Sequence, residues 1–90
     1  MPTRSIDAAW ARIKANEGKT FQQIRGKEFS YTVVESSLVL STTNQKIARS
    51  VLAEAIKLMP LRDTVPLQHL RAPSYLFAIL MDQRIRGDDW

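Results

Sequence analysis

The chain has no cysteine. That excludes a disulfide framework, a thiolate nucleophile and a Cys-ligated zinc site, and it is compatible with a reducing compartment. Histidine occurs once, at His69. Zinc sites take three or four His, Cys or carboxylate ligands, so no metal is expected. General-base catalysis is equally poorly supported, because no nucleophile or orienting carboxylate neighbours His69. With only three glycines there is nothing to build a P-loop or a dinucleotide fingerprint. Long apolar runs are missing as well. The longest, residues 75–81, falls far short of the roughly 20 residues that span a bilayer. The opening Met-Pro-Thr-Arg-Ser-Ile-Asp has no signal-peptide apolar core, since Asp7 and Arg12 interrupt it. These absences give the expectation of a soluble cytoplasmic protein with no cofactor.

What is present fits one compact domain. Ninety residues with 44% hydrophobic and 24% charged content suffice for a single core. The formal charge is +4, from 13 basic and nine acidic residues. Such a balance permits an anionic partner without resembling a polycationic tail. The carboxylates are scattered, and the adjacent pair Asp88 and Asp89 would point apart on any regular element. No convergent nucleophile, base and stabiliser emerges, so an enzyme is not expected.

Hydrophobic spacing predicts an α+β fold. Ile6, Ala9, Trp10 and Ile13 line one helical face, with Ser5 as N-cap, Asp7 in the first turn and Gly18 to close the helix. A two-residue loop at Gly26 and Lys27 would pair Ile24 with Phe29, Gln22 with Tyr31 and Arg25 with Glu28. A second turn at Glu35 and Ser36 would pair Val33 with Leu38 and Tyr31 with Leu40. One face of this three-stranded antiparallel meander then collects Ile24, Phe29, Tyr31, Val33, Leu38 and Leu40. Phe21 points to the other face in that register, unless a bulge or the sheet edge accommodates it.

A helical period follows through Ile47, Val51, Leu52, Ala55, Ile56 and Met59, with either Asn44 or Ser50 as cap. Pro66 opens a short turn holding Leu67 and Leu70. Pro73 suits a first helical position, and the apolar run after it reads as a buried helix. Two main helices are thus expected on one sheet face. Residues 1–90 form a single domain, in which 83–90 is a candidate charged tail.

Two sets of residues are candidates for function. Arg25 and Lys27 at a hairpin tip, with Lys46 and Arg49 at the start of the second helix, form a candidate nucleic-acid contact. An Arg25–Glu28 cross-strand pair would oppose it. Trp90 either tucks onto the domain or serves a protein interface. Arg84 and Arg86 lie close in sequence to Asp82, Asp88 and Asp89, so local neutralisation is expected there. Phe29 and Tyr31 share the face that the helices should cover, which makes them core rather than base-stacking rings.

Trp10, Phe21, the Gly26-Lys-Glu-Phe-Ser-Tyr31 hairpin, Pro60 and the stretch from Ala72 through Arg86 to Trp90 resemble a group of short, single-domain bacterial proteins of uncharacterised function. That resemblance spans most of the chain and implies no catalytic motif. In outline, a hairpin followed by a capped helix is also similar to accessory DNA-binding modules such as winged helix-turn-helix domains. The reading is therefore a small non-catalytic binding or regulatory domain acting through protein contacts or self-association, by way of Trp90 or the open sheet face. Its alternative is a nucleic-acid-binding accessory domain using Arg25, Lys27, Lys46 and Arg49.

Overall fold

A computed structural model describes residues 5–24, 26–43, 45–87 and 89–90. The fold is α+β: an N-terminal helix, a three-stranded antiparallel sheet, and further helices packed on it. Helix α1 spans Ile6–Ala15, and the Ser5 hydroxyl accepts from the amides of Asp7 and Ala8 as its N-cap. Ala9, Trp10 and Ile13 are buried along one face, with Ile6 packed beside them. Gly18, at φ +82, turns the chain away, and its amide donates to Tyr31 O at 3.0 Å.

The first hairpin departs from the sequence reading. Strands β1 (Phe21–Gln22) and β2 (Glu28–Phe29) pair Phe21 with Phe29 and Gln22 with Glu28. Phe21 thus takes the place expected for Ile24, and Glu28 faces Gln22 rather than Arg25. Arg25 itself lies outside the described residues. The larger aromatic decides the register, because an aromatic ring buries more apolar area than an isoleucine. Phe21 is buried with ring centroids 6.0 Å from Phe29 and 5.3 Å from Tyr31. The loop therefore opens wider than two residues. It is closed by Gln23 N–H donating to Lys27 O at 2.9 Å and Gly26 N–H donating to Gln23 O at 2.8 Å. Gly26 has φ +86, a conformation open to glycine at little cost.

Ser30 divides the long strand of the expected meander. Its carbonyl accepts from Ser41 N–H, and its amide donates to Ser41 Oγ, both at 2.9 Å. Beyond it, β3 (Tyr31–Val34) and β4 (Ser37–Leu40) pair as expected, Tyr31 with Leu40 and Val33 with Leu38, around Glu35 and Ser36. The third strand of this sheet is β5 (Lys46–Ala48), which sets Ile47 opposite Leu38. Ile47 was expected on the following helix. It is buried from a strand instead, because the residue that completes a sheet face need not share the period of the helix after it. Helix α2 (Arg49–Ile56) starts behind Ala48, so neither Asn44 nor Ser50 is its cap. Asn44 is outside the described residues.

Val65–Leu67 form a 3-10 turn with Pro66 inside it and Leu67 buried. Helix α3 (Pro73–Leu80) buries Leu76, Ala78, Ile79 and Leu80 at the centre of one core. Helix α4 (Gln83–Arg86) follows immediately, with Asp82 as N-cap accepting from Arg84 N–H at 2.9 Å. Ile85 is fully buried. Within residues 83–90, Ile85 and Trp90 anchor the segment on the core.

Candidate functional site

The residues singled out from sequence meet different fates. Trp90 is 9% exposed and belongs to the core cluster. Its indole N–H donates to Leu80 O at 2.7 Å, which satisfies a carbonyl at the end of α3 that the helix leaves without an intrahelical partner. Arg86 donates to the Trp90 carbonyl through Nε at 2.7 Å and also through Nη2. On the other side, Arg12 Nη1 reaches from α1 to Ile85 O at 3.0 Å and pairs with Asp89 Oδ2 at 2.7 Å. Sequence periodicity placed Arg12 off the apolar stripe. It gave no signal that the guanidinium would bridge α1 to α4.

Of the candidate cations, Arg49 is engaged. It pairs with Asp7 and its guanidinium lies 5.9 Å from the centroid of Trp10. Lys46 is exposed on β5, and Lys27 is exposed where the first hairpin closes. Among the described residues, no hydrogen bond, ion pair or strand register joins Lys27 to Lys46 or Arg49. Asp88 is outside the described residues. His69 is exposed next to the 3-10 turn, and no group of three or more His, Cys, Asp or Glu among the described residues is placed to hold a metal ion. No described helix is long and apolar enough to cross a membrane.

The residue that stands out is Ile24. At the tip of the first hairpin it is 60% exposed, while Phe21 beside it is buried. Two hollows meet at its side chain. One, of about 500 Å³, lies between the hairpin tip and the start of α3, lined by Gln23, Ile24, Thr64, Gln68 and Ser74. The other, of about 260 Å³, is lined by Gln22, Ile24, Phe77, Ala78, Met81 and Asp82. Val65, next to Thr64, is 70% exposed. The first hollow offers amides and hydroxyls, and the second offers an apolar floor. An apolar lining with a few polar groups is the usual make-up of a binding cleft.

Asp82 contributes little free charge to the smaller hollow. Arg84 donates to Oδ1 through Nε at 2.9 Å and to Oδ2 through Nη2 at 3.0 Å. Hydrogen bonding from Arg84 holds the Asp82 carboxyl below its ordinary pKa, against the opposing effect of burial. The same guanidinium lies 4.1 Å from the centre of the Phe21 ring and donates to Thr20 O at 2.7 Å, which fixes β1 to α4. Burial pushes the pKa of the Tyr31 phenol well above its usual value. Its hydroxyl donates to Ile13 O at 2.6 Å, so it ties β3 to α1 and has no access to a substrate.

The chain matches no family model, no curated protein and no solved structure.

Proposed function

We propose that the chain is a small non-catalytic contact domain that binds a protein segment through the face around Ile24, in a reducing compartment such as the cytoplasm. The observation that carries this reading is the 60% exposure of Ile24 where two hollows meet, with Val65, next to the lining residue Thr64, 70% exposed. A large apolar side chain held at the rim of a cleft favours burial by a partner. Trp90, the interface candidate from sequence, is occupied inside the fold. The test is selection from a random peptide library displayed on phage, against wild type and Ile24→Asp. Peptides with apolar anchors should be enriched on wild type and lost on the variant. Enrichment no better than on an unrelated protein, or equal retention by Ile24→Asp, would overturn the reading.

The alternative is a nucleic-acid-binding accessory domain. In its favour, Lys27 and Lys46 are exposed and carry no ion pair among the described residues. Against it, Arg49 is engaged by Asp7 and Trp10. Oligonucleotide binding that weakens steeply with salt and depends on Lys27 and Lys46 would favour this alternative.

A further inference from the structure

Resting on that reading, we infer that the segment received at Ile24 binds as an added β-strand along the outer edge of β1, with Gln22 as its backbone partner. The sheet of β1 and β2 has only two strands, so β1 has one unpaired side. The register fixes which groups lie there. Gln23 N–H donates to Lys27 O, so Gln23 and, two residues back, Phe21 turn their backbone groups towards β2. In an antiparallel pair the residue between them turns its N–H and C=O the other way. That residue is Gln22, and among the described residues neither group has a hydrogen-bond partner. Thr20, of the same parity, shows what this edge faces: its carbonyl accepts from Arg84 on α4 at 2.7 Å. About 7 Å further along, at the ~3.3 Å rise of a strand residue, Gln22 meets the smaller hollow instead, beside Ile24 and the floor of Phe77, Ala78 and Met81.

An edge that leaves both a donor and an acceptor open selects an extended polypeptide. A helix has its backbone groups already paired and answers neither. Successive side chains of an added strand alternate between two faces. Those on the Phe21 side, where Phe29 packs on Tyr75 of α3, meet the apolar floor of the hollow, and those between them point to solvent. The partner is therefore a strand-forming segment with apolar side chains at alternate positions. The other sheet edges differ. On β3, Gly18 N–H occupies Tyr31 O at 3.0 Å, and Glu17 Oε2 accepts from Val33 N–H at 2.6 Å. On β5, Leu40 N–H donates to Gln45 O, so the Lys46 backbone faces away from β4. Neither hollow reaches Lys46, and an exposed lysine is a common guard of a strand edge.

The experiment uses a peptide that the phage selection yields, made synthetically, N-methylated at one amide at a time and titrated by fluorescence anisotropy. Methylation at every second position should weaken binding about tenfold, and at the positions between by about twofold at most, because only alternate amides face β1. Exchange of the Gln22 amide with solvent should slow about tenfold when the peptide saturates the protein. Gln22→Pro removes the donor at a position where an edge strand tolerates proline, so the variant should fold by circular dichroism and bind about tenfold more weakly. Should that variant not fold, the methylation series and the Gln22 amide carry the test alone. If the peptide is lost on Ile24→Asp, yet methylation shows no alternation and Gln22 exchange is unchanged, the strand inference falls and the contact reading stands. If Ile24→Asp binds equally well, or no peptide is selected, both fall. Alternation with protection at Lys46 in place of Gln22 would move the site to β5 and overturn both.

Discussion

Helix α4 and the β1–β2 hairpin are both very short, yet the molecule treats them differently. Four residues of α4 are held by Arg12 from α1, by the Asp82 cap and by the buried Ile85, and Trp90 beyond it closes the end of α3. The hairpin is anchored at its base by Phe21 and Phe29, under the Arg84 guanidinium. Its tip ends in an exposed Ile24 above two hollows. Where charge and apolar surface are answered inside the fold, they contribute stability. Where they are left unanswered together, as at Ile24 and Lys27, lies the face proposed for contact with a partner.

That contrast can be broken at several points. The largest effect should come from the shared centre: Leu80→Asp sets an unpaired carboxylate in a fully buried position and should unfold the domain, lost by circular dichroism and thermal melt. Trp90→Ala comes next. If the indole is structural, the change should cost about 3–5 kcal/mol by denaturant melt, the range for buried aromatics. A loss below about 0.5 kcal/mol would put Trp90 in the same class as Ile24.

Tyr31→Phe sharpens the comparison from the sheet side. Losing the hydrogen bond to Ile13 should cost about 1 kcal/mol at neutral pH. Because the folded phenol has its pKa raised, Tyr31 stabilises the fold fully below the unfolded value near pH ~10. That contribution declines as pH rises beyond it. Wild type should therefore lose stability in alkali more steeply than Tyr31→Phe, as melts across that range would show. Smallest of all, Ile24→Asp should shift stability by no more than about 0.5 kcal/mol, as for an exposed side chain away from the core. A large destabilisation would mean that the hairpin tip is structural after all.

Much of this architecture was legible from residue spacing. The Ser5 cap, the Ile6–Ala9–Trp10–Ile13 face, the turn at Glu35 and Ser36, and the buried helix after Pro73 each rest on local patterns that tertiary packing reinforces. The hairpin register was not legible, because two short runs allow several pairings. The choice between Ile24 and Phe21 depends on which side chain packs best against Tyr31 and α3. Strand β5 was hidden because Ile47 also continues the helical period of Val51 and Leu52. The bridging roles of Arg12 and Arg84 could not be read either, since long cationic side chains find carbonyls and rings on elements distant in sequence. The candidate site fared likewise: an exposed isoleucine beside two hollows exists only once the register is set.

Binding by the Ile24 face, with the Trp90 region only holding the fold together, can be read residue by residue. The most direct measurement is an amide chemical-shift map, taken while a selected peptide is titrated into the wild-type protein. The largest shifts are expected at residues 22–24 and 26–28, around Thr64 to Gln68, and from Ser74 in α3 through to Asp82. Shifts centred instead on Trp90 and α4, or on the outward row of Thr32, Val34 and Lys46, would contradict it.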